Sequence, residues 1–458
     1  MSDNQVNVQK TPAFPWNALY RQIWGGLKMP LLAILTAFIL GGVIIWITSG
    51  SLPTVFQAYG GMIRGALIKE RGLSESLVAT VPYILLSLAV AVGFKSGLFN
   101  IGAEGQFYIG AIGAAWAGVA FSGHGLPAII YLPLVLVIGA SGGAIWAAIA
   151  GILKAKTGAH EVITTMMMNY ISFRLSEFLV SGPLRDPGAG LTQTRTVDPQ
   201  TELWTLYEIP QRLKDPLNAL AVALVVAGIA ALILRWFVNR SMQQRLFSQA
   251  RRRLTFLGGG VLVGLVAFFA LPPLTQAFWP FNDPADRLHI GLFLALAMVV
   301  LVWWLLQRTT LGFELRTVGA NPNAARYAGI NITRNIVTAM GISGALAGLA
   351  GTVEVLAVSS CRCLPLFFSS GYGWDSIAIS LLARNDPFGI IASSFLFGAM
   401  RNGADLMELS SGVSKYIISL LQGLVLLFVA APIVVRWIYR LKGEKEAGPS
   451  SLTHGWGG

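Results

Sequence analysis

Charged residues are scarce in this 458-residue chain: Asp, Glu, Lys and Arg make up 12% of it, against about 25% in a soluble globular domain. Hydrophobic residues make up 54%, and 51 residues are glycine. Glycine is more frequent in membrane helices than in soluble ones, because small residues let helix backbones approach closely. The composition therefore excludes a large soluble domain and indicates an integral membrane protein.

The chain also lacks the motifs of common catalytic and metal sites. It contains no G-x-x-x-x-G-K-[ST] phosphate loop and no H-E-x-x-H motif, and its four histidines are far apart in sequence. We therefore expect no catalytic residue, no metal site and no cofactor in this chain. Any energy for its function must come from a partner or from an ion gradient.

Only two cysteines are present, Cys361 and Cys363 in the sequence Cys-Arg-Cys. One intervening residue makes a poor disulfide, and no histidine or further cysteine stands nearby to complete a zinc site. We therefore expect two separate thiols in an external loop.

The formal net charge of +12 raises the question of a nucleic-acid partner. The basic residues are scattered between apolar runs rather than clustered on one face, which argues against nucleic acid. They fit instead the tendency of Lys and Arg to collect in short cytoplasmic loops.

Apolar runs recur along the chain, and a membrane span needs ~20 such residues. They lie near residues 30–50, 75–94, 100–121, 127–153, 162–181, 216–238, 255–272, 288–307, 333–358, 374–384, 387–400 and 416–438. The short runs at 374–384 and 387–400 are interpreted as broken or re-entrant helices joined by a turn. The pattern predicts an all-α polytopic membrane protein in contact with membrane lipid.

The distribution of Lys and Arg predicts that both termini are cytoplasmic. The first apolar run is too long for a signal-peptide core and is interpreted as an uncleaved first span. With alternating spans, most basic residues then fall in inner loops, including the cluster Arg240 to Arg253. The main exception is the predicted outer loop 51–73, which carries Arg64, Lys69 and Arg71.

Polar residues interrupt several of the apolar runs. The stretch Gly97 to Gln106 places Asn100 and Glu104 among three glycines at the start of a span, as in broken helices that line a cavity. A carboxylate within a span is costly unless it has a role. The alternative is a polar helix start with close packing.

Further polar residues lie in later spans. Asn169 is one of them, and Glu354 fits an interhelical hydrogen bond and a pathway residue equally well. Arg174 and Glu177 are three residues apart on one helix, which indicates a local ion pair. The stretch Gly371 to Ala378, which contains Asp375, echoes Gly97 to Ala103 and hints at an inverted repeat.

The segment 308–332 is too polar to span lipid. Asn321-Pro322 is a helix start and Gly329 a helix stop, so we predict a short helix in a cytoplasmic loop. A plain connector is the alternative.

Several ordered blocks resemble the permease subunits of bacterial ATP-binding-cassette (ABC) importers for nucleosides and simple sugars. They cover roughly residues 75–182 and 288–432. The matching blocks are Gly97 to Gln106, Glu161 to Tyr170, Leu311 to Asn331, Ser343 to Gly351, Gly371 to Asp386 and Phe397 to Ala404.

The resemblance implies about ten transmembrane helices in two inverted repeats, plus an inserted two-helix hairpin. The implied division is an N-terminal cytoplasmic segment 1–29, a first half 30–204, the hairpin 205–285 with a basic cytoplasmic loop, a second half 286–438 that includes the coupling loop 308–332, and a cytoplasmic tail 439–458. The implied location is the bacterial cytoplasmic membrane.

The resemblance also implies the function: a pathway for a nucleoside or a simple sugar. The implied partners are ABC ATPase subunits that bind ATP and Mg, a second permease subunit, identical or homologous, and an extracytoplasmic solute-binding protein or lipoprotein. The pathway candidates are Asn100, Glu104, Gln106, Asn169 and Asp375. The ATPase-coupling candidates are Leu315, Arg316, Gly319, Asn321, Ala325, Arg326 and Gly329.

The alternative function is a secondary transporter driven by an ion gradient, whose membrane carboxylates would be ion sites. The polar loop 308–332 discriminates between the two, because a docking surface has a use only if an ATPase lies beneath it.

Overall fold

A computed structural model describes residues 16–123, 127–241 and 249–440, and every regular element in them is a helix. The first six helices are α1 (Trp16–Ser49), α2 (Leu52–Ile63), α3 (Gly72–Lys95), α4 (Ala103–Ala120), α5 (Ala128–Thr157) and α6 (Glu161–Ser181). The next six are α7 (Ile209–Arg212), α8 (Pro216–Ser241), α9 (Gln249–Phe278), α10 (Gly291–Arg308), α11 (Thr310–Ala320) and α12 (Pro322–Tyr327). The last five are α13 (Ile332–Val353), α14 (Tyr372–Leu382), α15 (Pro387–Ser411), α16 (Ile417–Ala430) and α17 (Pro432–Ile438).

The predicted all-α polytopic class is confirmed. Among the described residues, 7 helices are long and apolar enough to cross a membrane, or 8 if the bent pair α16 and α17 is one span. This is fewer than the twelve predicted runs, although each run corresponds to a helix. The helix α14 has only 11 residues, and α4 carries Glu104 and Gln106 within its first two turns.

The helix α2 was missed by the sequence pattern. Residues 51–73, predicted as an outer loop, contain α2 and a π-helical turn at Arg64–Ile68. This segment packs on α15, where the Asn402 side chain donates hydrogen bonds to the carbonyl oxygen of Gly72 at 2.8 Å and to Ser76 Oγ at 3.0 Å. This segment is too short and too rich in glycine to appear as an apolar run in the sequence. Its helical structure is therefore stabilised by tertiary packing.

The core of the bundle is built around α3 and α13. Of the 18-residue stretch of α3 that is most apolar, 83% is buried within the chain. The corresponding share is 17% in α8 and in α9. The helix α13 touches α4 and α5 through glycines: a Cβ on Gly348 would lie 2.4 Å from the carbonyl oxygen of Gly139. The helices α8 and α9 form a peripheral hairpin within the predicted insertion.

The predicted break between the two short apolar runs is confirmed. The helix α14 ends at Leu382, and α15 begins at Pro387. Arg384 and Asn385 both adopt left-handed backbone conformations, with φ of 55° and 56°. The chain reverses within four residues, so α14 is a short helix that packs against α3 and α15.

Loops 182–208, 279–290 and 359–371 form one layer at one end of the bundle. Their backbones pair directly: Val197 N donates to the carbonyl oxygen of Arg362 at 2.9 Å, and Leu206 N to that of Leu288 at 2.7 Å. The residues up to 15 and from 441, which hold the outer parts of the predicted N-terminal segment and tail, lie outside the described residues. So do His124 and residues 242–248 of the basic loop.

Cys361 and Cys363 form a disulfide in this layer, with their Cα atoms 5.1 Å apart. The expectation of two separate thiols is wrong. Arg362 between them has a φ of 48°, and this left-handed conformation turns the chain back on itself. The turn brings together two side chains that an extended Cys-Arg-Cys segment would hold apart.

Candidate functional site: a buried charged and aromatic cluster

The short helix α14 begins against Glu104, which is the second residue of α4. Glu104 is 3% exposed and accepts hydrogen bonds from Ser369 Oγ and from the backbone N–H of Gly373. The first N–H groups of a helix have no partner within the helix and favour a negative charge. The two helix starts are in contact, since a Cβ on Gly373 would lie 2.6 Å from the Glu104 backbone.

Asp375, one turn into α14, belongs to the same cluster. Tyr83 on α3 donates its hydroxyl proton to Asp375 Oδ2 at 2.8 Å. Arg401 on α15 donates from Nη1 to the Tyr83 hydroxyl at 3.1 Å, and its guanidinium carbon lies 4.0 Å from the centre of the Tyr372 ring. A cation above an aromatic face is stabilised by the negative charge of that face.

Glu354 is the third carboxylate of the cluster. It is 8% exposed and begins the π-helical turn Glu354–Val358 that ends the helix of α13. Its Oε2 has no hydrogen-bond partner among the described residues, and Arg401 and Arg287 are the cations whose charges act on it. Single π-helical turns inside long helices are frequently found at functional sites.

Aromatic rings surround these charges. Tyr83 and Tyr372 have ring centres 4.8 Å apart, and Phe107 stacks on Phe368 at 5.2 Å. The ring centres of Tyr108 and Phe368 are 4.6 Å apart. The cluster therefore combines three carboxylates and one guanidinium with flat apolar faces, a combination able to contact a solute that has both hydroxyl groups and a ring.

The other three predicted pathway residues lie in a neighbouring amide network. Asn100 and Gln106 exchange two hydrogen bonds of 2.9 and 3.0 Å, and Asn100 also donates to Ser343 Oγ at 2.8 Å. Asn169 accepts from Gly105 N at 2.8 Å and donates to the carbonyl oxygen of Ile101 at 3.0 Å. These contacts hold the loop between α3 and α4 in place.

The predicted coupling segment is helical, in two pieces rather than one. Asn321 ends α11 and caps α12, and its side chain accepts from Ala324 N at 3.1 Å. Gly329 has a φ of 78° after α12. The predicted helix start and stop are thus found in place, preceded by a further helix, α11.

The coupling candidates divide into an inner and an outer group. Leu315 and Ala325 are fully buried within the chain, and Gly319 packs on the backbone of Lys95 and Gly97. Arg316 donates to Gln307 Oε1 at 3.1 Å. Arg326, Asn321 and Gly329 are exposed, and beside them Tyr327 is 94% exposed.

Sequence reasoning missed Arg401, Tyr83 and Tyr372. Arg401 carried a usable signal, because it directly follows the apolar run 387–400, and charged residues within membrane spans are rare without a role. The two tyrosines carried none, since tyrosine is common in membrane helices. Across the described residues, no group of three or more His, Cys, Asp or Glu is placed to hold a metal ion.

A bundle of apolar helices around a buried charged and aromatic cluster, with a polar helical loop at one end, defines a membrane permease. The chain matches the family model of the permease component of the branched-chain amino acid transport system over residues 72–430. It therefore belongs to this family, in which its relatives are named as ABC transporter permeases. No solved structure matches it significantly.

Three relatives show the breadth of the family. The chain is 32% identical to the guanosine ABC transporter permease protein of Bacillus subtilis, over 92% of this chain and 98% of that protein. It is 30% identical to the nucleoside ABC transporter permease protein of Lactococcus lactis, over 89% and 91%. It is also 30% identical to the glucose ABC transporter permease protein of Haloferax volcanii, over 89% and 87%. The predicted ABC permease is confirmed and is favoured over an ion-driven transporter.

Proposed function

We propose that the chain forms, with a second permease subunit, the translocation pathway for a nucleoside across the cytoplasmic membrane. An extracytoplasmic solute-binding protein or lipoprotein delivers the nucleoside. Separate ATPase subunits bind ATP and Mg and drive the transport. Two of the three relatives described above are named for nucleosides, which supports this substrate class over a simple sugar.

The buried cluster at the start of α14 is the observation that carries the proposal. Glu104 and Asp375 offer acceptors for ribose hydroxyl groups, while Tyr108, whose ring contacts that of Phe368, offers a face on which a base can stack. Broken helices whose ends point into the bundle commonly form solute sites in transporters. Binding there should be weak, because tight binding would stop release.

Packing at the inner end supports the orientation and the coupling role. A cavity lined by Met29, Pro30 and Arg436 joins the start of the first span to the last described helix, so these two elements lie on the same side of the bundle. The helix α11 packs on the loop after α3 through Gly319. We infer that this side is cytoplasmic and that the exposed face of α12 sits in a groove of the ATPase.

Uptake competition tests the solute. Cells that express the complete importer should take up labelled guanosine, and unlabelled nucleosides should block this uptake while ribose and glucose do not. If sugars are taken up and nucleosides do not compete, the nucleoside proposal is wrong and the sugar alternative holds.

Glu104→Gln tests the pathway. The change removes the charge but keeps the shape, so we expect uptake to fall at least tenfold while the subunits still assemble. Glu70→Gln, at a carboxylate whose side chain is 85% exposed, is the matched control and should be neutral. Normal uptake in Glu104→Gln would remove Glu104 from the pathway.

Tyr327→Ala tests the coupling surface without disturbing the chain's own packing, unlike Ala325→Trp at a buried position. We expect the ATPase to be lost from complexes purified in mild detergent and identified by mass spectrometry. Tyr416→Ala, at a 76% exposed position following α15, is the control. Full retention of the ATPase and of uptake in Tyr327→Ala would reduce α12 to a connector.

A further inference from the structure

The helix α6 carries charge on its exposed face. Ile163, Met167, Tyr170 and Arg174 follow one another at spacings of three or four residues, and all are exposed. The Arg174 side chain is 79% exposed, and its Nη1 donates to Glu177 Oε2 at 2.6 Å. A charged pair facing acyl chains would be costly, so the part of this face around Arg174 and Glu177 is better suited to contact with water or protein than with lipid.

A cavity of about 190 Å³ lies beside this pair, between α4, α6 and the loop 359–371. Its lining includes Tyr108, Tyr170, Phe173, Phe367, Arg174 and Glu177. Sites for a whole drug-sized molecule usually have about 300–1,000 Å³. The volume therefore suits one flat ring system, such as the base of a nucleoside, rather than the whole solute.

The cavity adjoins the charged cluster. Tyr108 lines it and lies 4.6 Å, ring centre to ring centre, from Phe368. The next residue, Ser369, donates its hydroxyl proton to Glu104. A nucleoside base bound in the cavity would therefore lie beside the charged cluster that contains Glu104.

We propose that this cavity is the base-binding subsite of the pathway and that the Arg174–Glu177 pair favours guanine. The inference rests on the nucleoside proposal above. Tyr170, Phe173 and Phe367 supply aromatic faces for stacking. The Glu177 carboxylate accepts from the N1–H and N2–H groups of guanine, and the Arg174 guanidinium donates to O6 and N7.

The proposed subsite would also discriminate against adenine. Adenine presents an acceptor at N1, where guanine has a donor, so the Glu177 carboxylate would be repelled by it. An ion pair that only stabilises α6 would make no such distinction between the two bases.

Initial rates of guanosine and adenosine uptake by cells expressing the complete importer test the inference. Glu177→Gln should lower the guanosine-to-adenosine rate ratio at least fivefold, because an amide no longer offers two acceptors. Arg174→Lys keeps the charge but loses the planar fork, and should lower the ratio in the same direction. Asp405→Asn, at an exposed carboxylate, is the matched control and should leave the ratio unchanged.

A guanosine-to-adenosine ratio that is unchanged in both variants would overturn the inference while leaving the nucleoside proposal intact. If the two uptake rates also fall equally, the pair only supports α6. A wild-type importer that carries sugars and no nucleoside would instead overturn the nucleoside proposal itself.

Discussion

Arg401 is the residue on which the charge of the buried cluster depends. Its guanidinium contacts Tyr83 and Tyr372, and its charge acts on Glu354 and Asp375. A buried charge that loses its counter-charge costs far more than the net contribution of the pair. The arginine therefore makes it possible for several carboxylates to share one site within the bundle.

Arg401→Gln should lower the stability of the permease by about 3 kcal/mol, because the carboxylates then lose their cation. Thermal unfolding of the protein purified in mild detergent measures this change. The double variant Arg401→Gln with Glu354→Gln should recover part of the loss, since it also removes a charge. An Arg401→Gln variant as stable as the parent protein, with no effect of the second change, would contradict this account.

His289 makes stability depend on pH. Burial, aided by Arg362 and Arg287, lowers the pKa of His289 to about 3 from its usual 6.5. The contribution of the neutral His289 side chain to the free energy of unfolding is therefore complete above pH 6.5. This contribution is lost as the pH falls, because only the unfolded chain takes up the proton. The loss is up to about 1.4 kcal/mol per pH unit.

Melting temperatures recorded at pH 7, 6 and 5 check this dependence. The fall in melting temperature between pH 7 and pH 5 should be smaller in His289→Gln than in the parent protein. His160→Gln, at an exposed histidine, should keep the parental slope. Equal slopes in all three proteins would show that His289 takes up no proton on unfolding.

Part of the candidate site was predictable from residues alone. Glu104 and Asp375 stand out in the sequence because a carboxylate in an apolar run is costly unless it has a role. The structure brings both residues into one cluster. Asn100, Gln106 and Asn169 carried the same kind of signal, but their amides also satisfy one another and the backbone. Sequence cannot separate these cases, because hydrogen-bond partners depend on which helices meet.

At the level of the helices, close packing of α13 on α4 and α5 holds the core. A Cβ on Gly110 would lie 2.2 Å from the carbonyl oxygen of Gly348, and one on Gly143 would lie 2.3 Å from that of Gly344. Such contacts require hydrogen in place of a side chain. The pattern is the small-residue packing typical of membrane helices.

Gly348→Ala should therefore destabilise the protein by about 1–3 kcal/mol, as expected for an overpacked core. Gly341→Ala lies on the same helix with no atom within 4 Å of the added Cβ, and should be neutral or slightly stabilising. Melting temperatures in detergent compare the two. A Gly348→Ala variant as stable as Gly341→Ala would show that α13 can move away at no cost.

The helices were more predictable than their junctions. Long apolar runs identified α3, α5 and α13, and the turn residues before Pro387 identified the break after α14. The helix α2 was missed because its twelve residues are stabilised by contact with α15, which no local pattern records. The disulfide was missed because it depends on the backbone turn at Arg362.

For the whole molecule, the orientation sets which surfaces meet which partners. Leu191 in the loop 182–208 is 75% exposed, and Tyr327 on α12 is 94% exposed. By the proposed topology they lie on opposite sides of the membrane.

Labelling with a membrane-impermeant maleimide tests this in a chain whose Cys361 and Cys363 are replaced by Ser. Leu191→Cys should react in intact cells, and Tyr327→Cys should react only after the cells are permeabilised. The reverse pattern would invert the topology, and with it the assignment of α12 to the ATPase.

The hairpin of α8 and α9 leaves the bundle and returns to it at one point, because Leu206 N is bonded to the carbonyl oxygen of Leu288. The chain enters and leaves this pair of spans on the same side of the membrane, so the pair does not change the orientation of any later span. A gene could thus gain or lose this segment in one event, without re-evolving the orientation of the helices after it. The same geometry suggests that the segment can be removed as a unit. A variant in which a short linker replaces residues 207–287 should be a shorter permease whose remaining helices still assemble.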